Sequence, residues 1–224
     1  MIPWSLIGTA RIPGDGGEMR LHRRGSEYSI KVGPHELMNS RVHASEDALA
    51  SLACERIAGR PRPRVLVGGL GMGFTLVRVL ADLGPDGDVV VAELVPEVVA
   101  WHRGPLAELS GGALDDPRVR VREEDVARVM SAERNAWDAI LLDVDNGPSA
   151  LTSKHNERLY GMAGLRAAFE ALRPGGILAV WSSGPDPAFT RRLRHAGFEP
   201  EEVPVRGRDT GKGSRFLIWV ASRP

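Results

Sequence analysis

A set of acids and a run of glycines stand where apolar strands end, and together they set what chemistry the chain can do. Asp143 closes the run Trp137-Asp-Ala-Ile-Leu-Leu-Asp143. A carboxylate there can attract an ammonium, orient it and take its proton, which frees the nitrogen lone pair. Alkyl transfer from a sulfonium needs such an uncharged nucleophile, held in line with the carbon that moves. The other reading of Asp143 is a turn residue that caps backbone N–H groups. Asp145 and Asn146 add acceptors in the same loop and are candidate substrate contacts, as is Trp181 at the end of the next apolar run.

Upstream, Val65-Leu-Val-Gly-Gly-Leu-Gly-Met-Gly-Phe74 carries an apolar β-type run into glycines and out into a helical pattern of Leu76, Val77, Val79 and Leu80. Glycines tolerate positive φ and let a ligand approach bare backbone. The free N–H groups of a helix start face the same space. The dinucleotide fingerprint G-x-G-x-x-G fits neither register, since Phe74 or Leu76 holds the third glycine position. The spacing Gly69-x-Gly71-x-Gly73 instead suits S-adenosylmethionine, which has no pyrophosphate to wrap, so Gly69, Gly71, Met72 and Gly73 are candidate cofactor contacts. The next run, Asp88-Val-Val-Val-Ala-Glu93-Leu94, ends in an acid about twenty residues further on, where Glu93 can accept the ribose hydroxyls with Leu94 beside it. Asp125 can accept the adenine exocyclic amine, cap the helix that it opens, or do both. Val126 and Trp101 can pack on the adenine face or belong to the core.

These residues need a parallel sheet to position them, because ligands of open α/β sheets bind beyond the carboxyl ends of the strands. From Val65 the chain alternates strand and helix: Val65–Gly68, Asp88–Glu93, Val119–Val121, Trp137–Asp143 and Ile177–Trp181 read as strands. Such alternation predicts a mostly parallel sheet covered on both faces. Arg173-Pro-Gly-Gly176 reads as a helix stop and turn, and Phe198–Val205 with Arg215–Val220 as a closing antiparallel hairpin. The long polar loop from Asp145 to Asn156 has the character of a lid, with His155 and Tyr160 near an acceptor, on the surface or at a helix start. Residues 1–42 look different: short β-type runs between turns such as Pro13-Gly14-Asp15-Gly16-Gly17 predict a small antiparallel sheet. Residues 43–64 hold a helix opened by Ser45, with Glu46 and Asp47 in its first turn, and a basic connector, Arg60-Pro-Arg-Pro-Arg64, expected to be solvated. The expected division is therefore 1–42, 43–64 and 65–224.

Composition narrows the classes. The 224 residues include 42% hydrophobic ones, enough for a sizeable core, and carry a formal net charge of zero. No broad basic field points to nucleic acid or an anionic membrane. No apolar run reaches membrane-spanning length, and the start of the chain lacks a signal-peptide pattern, so a cytoplasmic protein is expected. The single cysteine, Cys54, lies in an apolar helical pattern and reads as a buried small residue. Six scattered histidines show no HxH or HExxH spacing, and no metal is expected.

Over Leu37 to Val220 the chain resembles the spermidine synthase-like family of class I S-adenosylmethionine-dependent methyltransferase-fold proteins. The blocks are Val65-Leu-Val-Gly-Gly-Leu-Gly-Met-Gly, Val91-Ala-Glu-Leu, Asp116-Pro-Arg-Val, Glu124-Asp125, Asp138-Ala-Ile-Leu-Leu-Asp143 and Leu172-Arg-Pro-Gly-Gly-Ile. The resemblance implies a Rossmann-like α/β fold with a C-terminal antiparallel hairpin and a small N-terminal β segment. It implies Glu93 at the ribose, Asp125 at the adenine amine and Asp143 as the acid that deprotonates an attacking amine, and it admits a homodimer. Two departures matter. Met72 stands where family aminopropyltransferases carry an Asp that holds the donor's amine, and His43-Ala-Ser-Glu46-Asp47 stands where they carry Tyr-His-Glu. With that carboxylate missing, the expected reaction is methyl transfer from S-adenosylmethionine to a small amine-type acceptor, with Arg41 or His43 pairing the donor's carboxylate. The alternatives are a polyamine aminopropyltransferase using decarboxylated S-adenosylmethionine, a non-catalytic nucleoside-binding protein, and, against the glycine spacing, an NAD enzyme.

Overall fold

In the computed structural model, residues 2–14, 17–144, 147–148, 159–207 and 214–224 are described. The N-terminal strands β1 (Ser5–Arg11), β2 (Glu18–Arg24), β3 (Glu27–Val32) and β4 (His35–Asn39) form one antiparallel sheet in that order. Its inner face buries Ala10, Leu21, Tyr28 and Ile30. Helix α1 (Ala44–Arg56) follows, and then the alternation begins. Strands β5 (Arg64–Gly68), β6 (Asp88–Ala92), β7 (Val119–Arg122), β8 (Trp137–Leu142) and β9 (Leu172–Ser182) are parallel. They are interleaved with α2 (Phe74–Asp82), α3 (Pro96–His102), α4 (Val126–Ser131) and α5 (Met162–Ala171). Helix α6 (Pro187–His195) leads to β10 (Glu199–Arg206) and β11 (Arg215–Ser222). The seven strands run β10-β11-β9-β8-β5-β6-β7, and β10 and β11 are the antiparallel pair at one edge. This is a class I methyltransferase-like α/β fold with a small N-terminal sheet.

Strand alternation builds two cores, because successive side chains point to opposite faces. Val65, Val67, Val91, Ala139 and Leu141 face a core shared with α1, α2, α3 and the N-terminal sheet. Leu66, Val90, Ile140, Leu142 and Val180 face the other, with α4, α5 and α6. The N-terminal sheet is pinned where Gly8 meets Trp101: a Cβ on Gly8 would stand 2.7 Å from the Trp101 indole nitrogen. Trp101 therefore belongs to the core and locks β1 against α3. Cys54 is buried in the same core, and burial pushes its thiol up to about 12. No described helix is long and apolar enough to cross a membrane.

Three local expectations need correction. Helix α1 begins at Ala44 with His43 at its N-cap, not at Ser45. The Ser45 hydroxyl donates to the Glu46 carboxylate at 2.5 Å, and the His43 ring stacks on Phe74 at 4.1 Å. The Arg173-Pro-Gly-Gly176 stretch does follow the end of α5, but it forms an irregular start to β9. Leu172 pairs with Trp137, Ile177 pairs with Ala139, and the Gly175 N–H donates to the Arg223 carbonyl at 2.7 Å. The basic connector is stapled down: Arg60 bonds Asp138 at 2.8 Å, and Arg64 makes two bonds to Glu133, at 2.7 and 3.0 Å.

Candidate active site

A cavity of about 410 Å³ lies along the carboxyl ends of the parallel strands, under the N-terminal sheet. Its floor follows from strand order. Adjacent strands β7, β6, β5 and β8 present in turn Asp125, Glu93, Gly69 with Gly71, and Asp143. Its roof is apolar: Ile12 and Pro13 from the first turn, Met19, Ile30, Leu37 and Met38. Val126, Leu94, Val98 and Trp181 complete the walls.

The glycine turn is shaped by its neighbours. Gly69 has φ +88, and a Cβ there would lie 2.4 Å from the Asp143 carbonyl oxygen, so β5 and β8 can be this close at their ends only with glycine. The Gly69 N–H donates to the Ala92 carbonyl, and the Asp143 N–H donates to the Gly68 carbonyl. Glu93 is buried and ties the turn together, accepting the Leu70 N–H at 2.8 Å and the Val95 N–H at 2.9 Å. Burial raises its carboxyl above the usual range, while these backbone donors pull it back down. Beneath the turn, buried His102 bonds the Gly71 carbonyl at 3.0 Å and the Ser110 hydroxyl at 3.1 Å, and burial lowers its pKa.

Asp125 caps α4, accepting the Ala127 N–H at 2.8 Å, and still lines the cavity. Val126 lines the wall beside it. At the other end, Asp143 accepts the Thr75 hydroxyl at 2.7 Å. Its carboxyl is raised by burial, and the Thr75 hydrogen bond opposes that shift. Facing it is Glu46, from the first turn of α1, pushed up to about 7 by desolvation first and then by the Asp143 charge. Among the described residues, four lining carboxylates (Glu46, Glu93, Asp125 and Asp143) stand against one lining cation, Arg128, on the helix that Asp125 caps. A cavity of this polarity favours a cationic guest with an apolar flank.

Several candidates fall elsewhere. The Met72 side chain is buried in the core beneath the turn and is not among the cavity-lining residues. Neither Arg41 nor His43 lines the cavity. Arg41 stands 3.9 Å from Glu27, and the His43 Nδ1 bonds Asp47 at 2.8 Å. The expected partner for a donor carboxylate is therefore not in place. Tyr160 is buried against Phe189 rather than near an acceptor. Asp145, Asn146 and His155 lie outside the described residues. Sequence reading missed the cavity role of Glu46, which stands out from its neighbour Asp47 only once α1 packs on α2. The one hint was its place in the stretch that matches the family's Tyr-His-Glu run. Among the described residues no group of three His, Cys, Asp or Glu is placed to hold a metal ion.

The chain is 31% identical over 173 residues to the polyamine aminopropyltransferase of Mycobacterium tuberculosis (strain ATCC 25618 / H37Rv), covering 71% of this chain and 32% of that protein. It is 32% identical over 127 residues to the polyamine aminopropyltransferase of Nitrosomonas europaea, covering 57% of this chain and 37% of that protein. The chain thus spans about a third of the length of these curated relatives. The fold matches the spermidine synthase from Thermotoga maritima with a TM-score of 0.75 at 18% identity, over 98% of this chain and 73% of that one. A spermidine synthase in complex with the transition state analogue AdoDATO matches with a TM-score of 0.74 at 18% identity, over 98% and 72%. No protein-family model matches. Methyl transfer, the expectation drawn from Met72, is overturned: the relatives are aminopropyltransferases, and the residues expected to hold a donor carboxylate do not line the cavity.

Proposed function

From the premise that the chain is spermidine-synthase-like in sequence and fold, we propose that it transfers an aminopropyl group from decarboxylated S-adenosylmethionine to an amine acceptor. Asp125 takes the adenine amine, Glu93 the ribose hydroxyls, and the turn at Gly69 and Gly71 passes under the sulfonium. Asp143 accepts a proton from the acceptor ammonium. The freed nitrogen lone pair then attacks the propyl carbon bonded to sulfur, a C–N bond forms, the C–S bond breaks, and its electron pair returns to sulfur. The products are the alkylated amine and neutral 5′-methylthioadenosine.

The observation that carries this reading is Asp143 itself. It stands at the cavity end of a buried strand, positioned by one hydroxyl, with no cationic side chain bonded to it among the described residues. Burial raises its proton affinity, which suits a base that must take a proton from an ammonium. The apolar roof of Met19, Leu37 and Met38 suits the methylene chain of an aliphatic amine. The test is direct: incubate the purified protein with decarboxylated S-adenosylmethionine and a panel of aliphatic diamines, and follow both products by mass spectrometry. Equimolar 5′-methylthioadenosine and aminopropylated amine are expected. Binding of 5′-methylthioadenosine without transfer to any diamine would instead mark a non-catalytic nucleoside-binding protein.

A further inference from the structure

The second carboxylate at the Asp143 end is not used by that reaction scheme, and its surroundings ask for a ligand. Glu46 reaches the cavity from α1, while Thr75, which holds Asp143, sits in the first turn of α2. The two helices pack together, with His43 stacked on Phe74 at their starts. Glu46, Thr75 and Asp143 thus converge where the glycine turn becomes a helix. Among the described residues, the side-chain hydrogen bonds to the two carboxylates come from neutral hydroxyls, Ser45 to Glu46 and Thr75 to Asp143. Among the described residues no Lys, Arg or His forms an ion pair with either. His43, at the start of the same helix as Glu46, is engaged by Asp47. Two carboxylates facing each other in an apolar cavity repel unless a proton or an external cation stands between them.

The strand order says which part of a ligand arrives there. Adjacent strands lie roughly 4.8 Å apart, so the four strand ends from Asp125 to Asp143 span roughly 14 Å. A nucleoside laid with its base at Asp125 and its ribose at Glu93 places its 5′ substituent over Gly69 and Gly71. The end of a three-carbon chain on that substituent then falls between Asp143 and Glu46.

Resting on the aminopropyl-transfer reading, we propose that Glu46 is the specificity-determining residue that pairs with the terminal ammonium of the donor's chain. A donor ending in an ammonium alone relieves the repulsion between the two carboxylates. A donor that carries a carboxylate beside the ammonium brings a third negative group to the same place and is rejected. Discrimination of this kind comes as much from repulsion of the wrong ligand as from attraction of the right one. The role falls to α1 because position 72 of the turn is methionine and its side chain is sunk in the core.

The test is calorimetric titration of the unaltered protein and Glu46→Gln with three probes: decarboxylated S-adenosylmethionine, S-adenosylmethionine and 5′-methylthioadenosine, which has the nucleoside and sulfur but no charged chain. The unaltered protein is expected to bind the decarboxylated donor at least 100-fold more tightly than the intact one. In Glu46→Gln, the decarboxylated donor should weaken 10- to 100-fold and the preference should shrink, with 5′-methylthioadenosine unchanged. That last probe also reports that the variant is folded. Unchanged affinity of Glu46→Gln for the decarboxylated donor would overturn the proposal while leaving the aminopropyl-transfer reading standing. Failure of the unaltered protein to bind 5′-methylthioadenosine would overturn both.

Discussion

Strand β8 carries an aspartate at each end, and the fold treats the two in opposite ways. Asp138, at the start, is 2% exposed. It accepts Arg60 at 2.8 Å, Arg173 at 2.7 Å and the Arg64 backbone N–H at 2.8 Å. Asp143, just past the other end, lines a cavity, holds one threonine hydroxyl and faces a second carboxylate. Asp138 is neutralised by the protein itself, and Asp143 awaits a charge from outside. The lesson is general: a buried charge whose partners are all supplied is part of the scaffold, and one left without a counter-ion marks the place where a ligand belongs.

The sharpest way to break this comparison is to neutralise each aspartate in turn. Asp143→Asn should lower turnover by about 10²- to 10⁴-fold, the usual worth of a positioned base. Its unfolding free energy should hold or rise slightly, since a half-buried carboxylate facing another is removed. Asp138→Asn should do the reverse. It leaves Arg60 and Arg173 without their shared partner, and a loss of about 2 to 3 kcal/mol is expected, discounted because both arginines keep some contact with water. Nucleoside affinity of its folded fraction should be unchanged. Urea denaturation and 5′-methylthioadenosine release separate the two effects, and equal stability losses in the two variants would erase the distinction.

A smaller effect tests the acidic end by pH. Glu46 is held at about 7 in the folded protein against 4.5 when unfolded. The charged groups that act on it are Asp143 across the cavity and Asp47 on its own helix, and the Ser45 hydroxyl opposes them. Between these two values the folded state keeps a proton that the unfolded state has released. Stability therefore falls as pH rises through this window, and the full penalty is present above 7. The expected drop is about 1 to 2 kcal/mol, below the full linkage value because the cavity is open to solvent. Denaturation of the unaltered protein at pH 5 and 7.5 should show it, and Glu46→Gln should show a flatter profile.

Next in size is the roof. Gly8→Ala forces a methyl against Trp101, and overpacking of this kind costs about 1 to 2 kcal/mol. The loss should appear in stability and in weaker nucleoside binding, because the N-terminal sheet roofs the cavity with Met19, Ile30, Leu37 and Met38. A stability loss with no change in binding would separate the roof from the site. The smallest effect is at Thr75. Its hydroxyl stabilises ionised Asp143, so Thr75→Val should raise the Asp143 pKa and move the acid limb of the kcat/KM profile to higher pH, by about half a unit to one unit. A limb that stays in place would assign it to another group.

Much of the scaffold is legible without coordinates because it rests on local signals. The alternation of β-type runs with helical patterns gives the parallel sheet, and the two runs after Gly197 give the antiparallel edge. The boundaries slipped where packing overrides local preference. Ser45 would cap a helix well in isolation, but it is buried and its hydroxyl serves Glu46. Arg173-Pro-Gly-Gly176 has turn chemistry, yet β8 and the chain end draw it into β9. Arginines between prolines read as solvated until Asp138 and Glu133 arrive from residues more than sixty positions away.

The order of the elements and the residues that stand at strand ends can be read from the chain alone: the glycines after β5, Glu93 after β6, Asp125 before α4 and Asp143 after β8. Side-chain period and turn chemistry are properties of neighbouring residues, so a single chain displays them. Tertiary structure alone decided which of those residues share a space and what else joins them. It roofed the strand ends with Met19, Leu37 and Met38, sank Met72 into the core, turned Arg41 and His43 toward other partners, and brought Glu46 to face Asp143. Burial and charge pairing depend on groups distant in sequence. The physical difference between a structural carboxylate and one that waits for a ligand therefore exists only once the chain is folded.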